Sequence, residues 1–489
     1  MQDQVITNTN SEKGFKKSLN LFDSTMLVIG SMIGSGVFIV SADMSRQLGS
    51  PGWLMVAWIL TGVMTVIAAL SYGELAGMMP NAGGIYVYLR EAFNPMFGFL
   101  YGWTGFLVIQ AGTIAAVAMA FAKYSGVLFP WISEKNIWLE IGGFGFNTTQ
   151  LIAILLIIVL AWINSRGVKL GKLIQNLFTN VKFFVLFAFI VVGLFVAGNA
   201  DSIGLNLSNM WDAQQITDSG TIPISGFSLL AALGAAMVGS LFAADSWYSV
   251  TFTGAEIINP KKNIPRSLLL GTILVFILYI LTNLVYLLVL PLRGDPQAIT
   301  VIGQGIQYAA NDRVATAAIS GLFGNSAALI MAVFIIISTF GCNNGIIMTS
   351  SRVYYAMAND GLFFKSVGKL NKNGVPGRSL LVLSIWSSLL CLSGTYGQLL
   401  DYVVFAVLIF FTLTILGIFV LRFKRPNVER PVKAFGYPVI PAIYILISTF
   451  LLVDLLIIKP DYTWPGLIIV LAGIPIYYVW RLVNKGKTT

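Results

Sequence analysis

A run of small residues interrupts the first long apolar stretch of the sequence, LVIGSMIGSGVFIV. Gly30, Gly34 and Gly36 stand where leucine or isoleucine would make a firmer helix. The spacing of four between Gly30 and Gly34 favours close packing against another helix through small residues. The run Gly34-Ser35-Gly36 favours a helix that breaks here, because the amides that begin its second half can then bind a carboxylate. Both interpretations stay open at this point.

An isolated carboxylate lies within a later apolar stretch, LFAADSWYSV. Asp245 stands between long uncharged runs, and apolar residues resume at Trp247, Val250 and Phe252. A charge at this depth in a membrane is costly unless it faces a cavity or a partner, so such residues are functional by default. The alternative is a helix that simply ends near Ala244. We favour a second, functional break.

One basic residue also falls inside an apolar stretch. Lys182 lies in TNVKFFVLFAFIV, where two roles are possible. Either its ammonium acts at a site inside the membrane, or its long side chain carries the charge out to the interface. The residues alone do not choose between these roles.

The remaining residues do not form the usual patterns of a catalytic or metal-binding site. The chain has no histidine, and its two cysteines, Cys342 and Cys391, lie in apolar runs that favour packed, reduced thiols. Without histidine the common pairs of nucleophile and base cannot be built, and the acidic residues are scattered and not paired. No phosphate-binding GxxxxGK[ST] loop is present, which argues against ATP-driven transport. We therefore expect no enzyme activity, no cofactor and no metal.

The elements that position these residues are membrane helices. The 489 residues are 57% hydrophobic and 10% charged, with a mean hydropathy of +0.82. Soluble domains are about 45–50% apolar and about 25% charged. Twelve continuous apolar segments, numbered here as spans 1 to 12, are each long enough to cross about 30 Å of hydrocarbon as a helix. They are centred on Ile33, Met64, Val108, Leu156, Phe189, Ser240, Leu278, Ile335, Ser387, Phe411, Ile447 and Val470. The predicted fold class is an all-α polytopic membrane protein.

The basic residues lie mostly on one side of these spans. Of the 30 Lys and Arg, 23 lie in the two tails and in the loops on the same side, and six lie in the opposite loops. Positively charged loops stay in the cytoplasm, so both termini are expected there. The formal net charge of +10 therefore reflects membrane topology and not a nucleic-acid partner.

Five long stretches resemble a known family, and together they extend almost from end to end. Four are similar to the amino acid–polyamine–organocation superfamily: GSMIGSGVF in span 1, SYGELAGMMPNAGGIYVYLREAF after span 2, SVTFTGAEIINPKKNIPRSL closing span 6, and ISTFGCNNGIIMTSSRVYYAMANDG along span 8. The fifth, LRFKRPNVERPVKAFGYPVIP after span 10, resembles the L-type amino acid transporter branch of that superfamily.

The resemblance implies an alternating-access carrier for α-amino acids with the leucine-transporter fold. Spans 1–5 and 6–10 then form a five-plus-five inverted repeat in which spans 1 and 6 are broken, and spans 11 and 12 lie outside it. Corresponding breaks in two halves also point to a central site. The expected boundaries are tails at 1–20 and 483–489 and one transporter domain at 21–482. Within the domain, the first repeat is 21–200, the second repeat is 225–422, and spans 11 and 12 occupy 435–482.

The resemblance also implies a substrate site at the two breaks. The amides of Ser35 and Gly36 are expected to bind the substrate carboxylate. Carbonyl groups at both breaks are expected to bind the amine, and Phe242 matches an aromatic gate. The substrate-binding residues are therefore expected to be Met32, Gly34, Ser35, Gly36, Phe242 and Asp245.

The family also suggests a role for the lysine of span 5. Lys182 matches a family lysine near the span 1 break, in the region where sodium-coupled relatives of the same fold hold a cation. The resemblance thus implies sodium-independent transport, with Ser338 and Thr339 of span 8 as further coupling or gating candidates. Hydroxyls on membrane helices more often bond to their own backbone, so that alternative stays open.

Two departures from the family pattern limit what it implies. Many relatives have glycine at the position of Asp245, and some that accept basic or dipolar substrates share the aspartate, so the side-chain preference stays open. Animal L-type members use a cysteine between spans 3 and 4 to bond a single-pass glycoprotein partner, and residues 123–150 contain none. We therefore expect a carrier in the cell membrane without such a partner.

The leading hypothesis is a secondary carrier that exchanges α-amino acids or couples them to protons. Asp245 motivates an alternative within transport, a basic amino acid or polyamine permease. A hypothesis of another class is a transporter-like amino acid sensor. Such a sensor usually needs a signalling extension. The tails here are short, with about twenty residues before span 1 and fewer than ten after Trp480, so the sensor hypothesis is disfavoured.

Overall fold

The structure is almost entirely helical. The computed structural model describes residues 15–485, apart from 142–143, 197, 218–219 and 394–395. The outer parts of both predicted tails, residues 1–14 and 486–489, therefore lie outside the described residues. The α-helices are α1 (Leu21–Met32), α2 (Gly36–Leu48), α3 (Pro51–Met78), α4 (Ile85–Ala92), α5 (Pro95–Thr104), α6 (Gln110–Leu128), α7 (Thr148–Ser165), α8 (Val168–Phe195), α9 (Ala200–Ser208), α10 (Gly226–Ala243), α11 (Pro260–Val289), α12 (Val301–Gln304), α13 (Val314–Phe323), α14 (Asn325–Asn359), α15 (Gly377–Ser393), α16 (Tyr396–Lys424), α17 (Val439–Ile458) and α18 (Pro460–Lys485).

Each of the twelve predicted apolar segments coincides with helix. Within the described ranges, 10 stretches of helix are long and apolar enough to cross a membrane, and α1 with α2 makes one further span that is bent by 40°. The ninth predicted segment coincides with the shorter apolar helix α15. Span 1 is α1 with α2, span 2 is α3, span 3 is α5 with α6, span 4 is α7, span 5 is α8, span 6 is α10 with the turns after it, span 7 is α11, span 8 is α14, and spans 9 to 12 are α15 to α18. The all-α polytopic fold class is confirmed.

Two short β-hairpins, which the sequence patterns did not predict, connect spans on the same side of the bundle. Strand β1 (Ile137–Ile141) pairs antiparallel with β2 (Phe144–Asn147) between spans 3 and 4. Strand β3 (Gln214–Thr217) pairs antiparallel with β4 (Gly220–Pro223) between spans 5 and 6. Both hairpins are short and lie outside the apolar segments, so they leave the fold class unchanged.

Span 1 is interrupted at its small residues. Helix α1 ends at Met32 because Ile33 adopts an extended conformation. Helix α2 begins at Gly36, so residues 33–35 form the break. The interruption leaves the last carbonyls of α1 and the first amides of α2 without helical partners in the middle of the span.

Span 6 is also interrupted, directly before its carboxylate. Helix α10 ends at Ala243, and Ser246 adopts a left-handed backbone with φ of 67°. The chain then continues as two 3-10 helices, Trp247–Phe252 and Gly254–Glu256. The span therefore continues beyond a break, although its second half is wound more tightly than an α-helix.

Small residues let span 7 pack closely against spans 1 and 2. A Cβ atom added at Gly271 of α11 would come 2.5 Å from Val28 of α1. A Cβ atom added at Gly62 of α3 would come 2.8 Å from the ring of Phe276. Such contacts hold membrane helices together where burial from water contributes little. Spans 1, 2 and 7 thus form one closely packed group beside span 6.

A buried carboxylate ties span 2 to the segment between spans 10 and 11. Glu74 is 1% exposed and accepts hydrogen bonds from Arg422, Arg430 and the amide of Ala434. The Arg422 guanidinium also lies over the Tyr437 ring, 3.7 Å from its centroid. We call this arrangement the Glu74 clip. It is built from the stretch that resembles the L-type branch.

Candidate functional site

A small buried cavity lies between the two breaks. About 260 Å³ of space between atoms lies there, counting the part that is open to the surroundings, and spans 3 and 8 complete its walls. Its lining residues are Ser31, Met32, Gly34, Ser35, Gly36, Thr113, Val117, Phe242, Ala243, Asp245, Ser246, Cys342 and Ile346. All six residues that the sequence predicts to bind substrate are among them. The two breaks therefore converge on one enclosed space.

Spans 5 and 8 supply hydrogen bonds to the carbonyls of the span 1 break. The Lys182 ammonium is fully buried, and it donates to the Gly30 carbonyl and, at 2.8 Å, to the Ile33 carbonyl. The Ser338 hydroxyl lies 3.1 Å from the Ile33 carbonyl and 3.2 Å from that of Gly34. The ammonium thus stays inside the bundle and satisfies carbonyls that the break has exposed.

The third coupling candidate behaves differently. The Thr339 hydroxyl donates to carbonyls one turn earlier on its own helix, at 2.8 and 3.1 Å, so it does not reach the break. The Cys342 thiol, for which the sequence indicated only packing, donates to the Ser31 carbonyl at 3.0 Å. The structure therefore brings Lys182 and Ser338 together at the break and leaves Thr339 outside that contact.

Two glycines of span 1 permit close approach to other spans, at different positions. A Cβ atom at Gly30 would overlap the side chains of Gln175 and Thr179 on span 5, so this glycine permits close packing. A Cβ atom at Gly36 would come 2.6 Å from the Cβ atom of Ala243. Gly36 therefore lets the two breaks approach each other.

A tyrosine of span 7 joins the two breaks directly. The hydroxyl of Tyr279 lies 2.9 Å from the Met32 carbonyl and 3.1 Å from the Ala243 carbonyl. A hydroxyl has one hydrogen to donate, so the two carbonyls share it and keep capacity for a further donor. These carbonyls end the first helical halves of spans 1 and 6.

Asp245 is buried with one oxygen available. It is 5% exposed, and its Oδ2 atom accepts a hydrogen bond of 3.3 Å from the Ser246 hydroxyl. Its Oδ1 atom has no hydrogen-bond partner among the described residues. A buried carboxylate is costly without a donor or a cation. The wall of the cavity thus contains an acceptor that suits a ligand with a donor or a positive charge.

The helix ends around the cavity make its two sides electrically different. The carboxyl ends of α1 and α10 lie at the cavity through Met32 and Ala243, and the amino end of α2 lies there through Gly36. Helix carboxyl ends attract cations, and helix amino ends attract anions. The arrangement suits a small ligand that carries an ammonium and a carboxylate close together.

Buried contacts join three spans at the end of the bundle where span 1 begins. The amides of Ser18 and Leu19 donate to the Glu256 carbonyl at 2.8 and 3.0 Å. The Glu256 carboxylate forms an ion pair of 2.8 Å with Arg352 of span 8, and both side chains are almost fully buried. These contacts link the start of span 1, the end of span 6 and span 8.

The opposite end is closed by other contacts. Arg46, near the end of α2, donates to Asp312 and to the Gln307 carbonyl, each at 2.8 Å. The rings of Phe38 and Phe334 meet edge to face, with centroids 5.7 Å apart. Contacts between spans are therefore present at both ends of the bundle, around Glu256 and around Arg46.

Several residues at the site were missed by reasoning from sequence. Tyr279 lies in an apolar stretch, where its sequence context suggests only a packing role. Arg352 lies where a positively charged loop was expected. Glu256 lies in the stretch SVTFTGAEIINPKKNIPRSL, where an acidic residue next to apolar neighbours was a signal. Across the described ranges, no group of three or more His, Cys, Asp or Glu residues is placed to hold a metal.

Known proteins match this chain nearly from end to end. The family model described as amino acid permease matches residues 19–479. The large neutral amino acids transporter small subunit 2 of Homo sapiens is 30% identical over 95% of this chain and 80% of its own length. The b(0,+)-type amino acid transporter 1 of Homo sapiens is 28% identical over 95% of this chain and 88% of its own length. The Asc-type amino acid transporter 1 of Mus musculus is 28% identical over 96% of this chain and 83% of its own length.

The family match includes both breaks and every residue that lines the cavity between them. It agrees with the resemblance of the five sequence stretches and with the apolar spans of the structure. This chain therefore belongs to the amino acid permease family, in the L-type amino acid transporter branch of the amino acid–polyamine–organocation superfamily, and is a multi-pass membrane transport protein and not an enzyme.

Proposed function

We propose that this chain is a secondary active transporter that carries α-amino acids across the cell membrane by alternating access. The observation that carries the proposal is the buried cavity where two broken spans meet, lined by three helix ends and one open carboxylate oxygen. The names of its relatives, all amino acid transporters, support the same class of cargo.

In this proposal the α-amino acid lies between the helix ends. The substrate carboxylate binds the amides that begin α2, at Ser35 and Gly36. The α-ammonium binds carbonyls at the carboxyl ends of α1 and α10, including that of Met32. The side chain then extends toward Phe242 and Asp245. Each charged group of the substrate thus meets a helix end of opposite sign.

The same arrangement supports sodium-independent transport. The Lys182 ammonium occupies the position between spans 1, 5 and 8, where it bonds two carbonyls of the break. A fixed cation there replaces a bound sodium ion as the tie between these spans. Transport then needs no sodium gradient and proceeds by exchange or with protons. Ser338 strengthens the same tie.

The proposed orientation places both termini in the cytoplasm, with tails at 1–20 and 483–489 and a single domain at 21–482. The contacts around Glu256 then close the cytoplasmic side, and those around Arg46 close the outer side. The absence of cysteine from residues 123–150 supports a carrier without a disulfide-linked glycoprotein.

One observation favours a second candidate function. The open oxygen of Asp245 suits a cationic side chain, as in a basic amino acid or polyamine permease. The two candidates differ in whether the substrate needs a carboxylate, because a polyamine has none.

Counterflow in proteoliposomes tests both candidates. Vesicles are loaded with one unlabelled amino acid, and labelled leucine, alanine, lysine and cadaverine are offered outside at several pH values, with and without sodium. We expect uptake of amino acids and none of cadaverine, since cadaverine is lysine without its carboxylate. Equal uptake of lysine and cadaverine would instead indicate a polyamine permease, and binding without counterflow would indicate a sensor.

Labelling of single cysteines tests the orientation. Ser208→Cys and Lys369→Cys place thiols at exposed positions on opposite sides of the bundle, while Cys342 and Cys391 are buried. An impermeant maleimide should react with the first variant in intact cells and not with the second. The reverse pattern would contradict the orientation.

A further inference from the structure

Span 3 contains an irregular turn beside the cavity. Between α5 and α6, residues Gly105–Ile109 form a π-helical turn, which is rare and is frequent at functional sites. The turn inserts an extra residue, so it changes which side chains of α6 face the cavity. Thr113 and Val117 of α6 line that cavity, and Gln110 is the first residue after the turn.

Gln110 connects three spans through its side-chain amide. It is 2% exposed, and its Nε2 atom donates to the Tyr248 hydroxyl at 3.2 Å and lies 3.5 Å from the Tyr101 hydroxyl. Its Oε1 atom accepts a hydrogen bond of 2.6 Å from the Ser350 hydroxyl. In the structure the amide nitrogen faces the Tyr248 hydroxyl and the amide oxygen faces the Ser350 hydroxyl. The amide thus lies between a residue of span 6 and a residue of span 8.

The Tyr248 hydroxyl lies close to the carboxyl group of Asp245. Tyr248 is 1% exposed and lies three residues after Asp245, beside its carboxyl group. The phenol oxygen already accepts from Gln110, which leaves its own hydrogen free to be donated. Asp245 has one oxygen without a partner in the described part of the chain.

We propose that Gln110 is a positioning residue for substrate selection. Its amide holds the Tyr248 hydroxyl so that this hydroxyl donates to Asp245, which orients the carboxyl group toward the cavity. The donors then run in one direction, from Ser350 through Gln110 and Tyr248 to Asp245. The substrate class that this arrangement favours is α-amino acids with a cationic or strongly polar side chain. The proposal rests on the proposed transport function.

The test compares a cationic and a neutral substrate. Gln110→Leu keeps a similar volume and removes the amide's hydrogen bonds to Tyr248, Tyr101 and Ser350. We expect the ratio of KM for lysine to KM for leucine to rise about tenfold, because a hydrogen bond to a charged group is lost. The KM for leucine should stay within about threefold, because no direct contact to substrate changes. Tyr248→Phe keeps the ring packing and should give the same rise, which guards against a folding defect in the first variant.

A matched control and a double-mutant cycle separate positioning from structure. Thr104→Val, in the same span, removes a buried hydroxyl that has no partner in the described residues, so both KM values should stay unchanged. In an Asp245→Gly background, Gln110→Leu should no longer change the ratio, because the group that it positions is gone.

Two results would overturn the proposal. An equal rise of both KM values in Gln110→Leu, or additive effects of Gln110→Leu and Asp245→Gly, would leave Gln110 a purely structural role. An unchanged ratio in Asp245→Gly alone would also overturn it, but would place the failure in the proposed role of Asp245. A wild-type protein without any amino acid counterflow would place the failure in the proposed function itself.

Discussion

The two breaks that face the cavity are held in different ways. At span 1, side chains from two other spans, Lys182 and Ser338, satisfy the carbonyls that the break exposes. At span 6, the break is joined to span 1 through Tyr279 and through close packing at Gly36. Its one charged residue, Asp245, keeps an oxygen without a partner in the described residues.

This difference indicates that the two breaks contribute differently to substrate binding. The carboxylate and ammonium are common to all α-amino acids, and the span 1 break offers them fixed backbone groups. Side chains differ between substrates, and the span 6 break offers a carboxylate, which can accept several hydrogen bonds. We therefore expect changes at span 1 to affect all substrates equally and changes at span 6 to alter selectivity.

The largest effect is expected from Gly36→Leu. Even a Cβ atom at this position would come 2.6 Å from Ala243, so a leucine must separate the breaks and fill the space beside the amides. Counterflow of every amino acid should fall below detection, while the amount of protein in the membrane persists. Gly204→Leu, where an added Cβ meets nothing within 4 Å, is the matched control and should transport normally. Normal uptake in Gly36→Leu would return this glycine to a packing role.

The next effect is expected from Lys182→Ala, which removes two hydrogen bonds from a buried ammonium. Each such bond contributes about 1.5–3 kcal/mol, so exchange of all substrates should fall by about tenfold or more. Substrate binding should change much less, because the ammonium ties spans together and touches no substrate in the proposed pose. Lys169→Ala, exposed on the same helix, is the control. Exchange that continues normally in Lys182→Ala, or wild-type exchange that requires sodium, would contradict this role.

A smaller and selective effect is expected from Asp245→Gly. The KM for lysine should rise about tenfold, since the substrate loses a buried carboxylate partner. The KM for leucine should stay equal or fall, because the cost of burying the carboxylate disappears. Uptake of a labelled panel at fixed pH measures both values. An unchanged profile would mean that Asp245 has a structural partner.

The smallest effect is expected from Ser338→Ala. It removes one neutral hydrogen bond to the span 1 break, worth about 1 kcal/mol, so exchange should fall about fivefold for all substrates alike. Thr339→Val is the paired control, because that hydroxyl bonds only within its own helix. Equal losses in the two variants would show that the contacts at the break do not set the rate.

The spans and the positions of the breaks could be predicted from sequence because each has a local cause. Continuous apolar length marks a span, and glycines such as Gly34 or a charge such as Asp245 mark a weak point within it. The extended residue Ile33 and the left-handed Ser246 lie within three residues of those marks. The hairpins had no such signal, since strands of four or five residues are too short for a clear alternating pattern.

The contacts across spans could not be predicted in the same way. Arg352 pairs with Glu256, 96 residues earlier in the chain, and Tyr279 reaches Met32 over a separation of 247 residues. Nothing in the local pattern selects such partners, because any two spans of a bundle can be neighbours. The π-helical turn before Gln110 could not be predicted either, because its residues, Gly105–Ile109, read as an ordinary apolar stretch.

The Glu74 clip has a consequence for how the chain is made. The two arginines that bond Glu74 lie 348 and 356 residues further along the chain. Span 2 is therefore synthesised and inserted long before Arg422 and Arg430 exist. Until then the carboxylate has no arginine partner, and burying it alone is costly. The clip can therefore form only after Arg422 and Arg430 have been synthesised, which makes it a late step in assembly of the bundle.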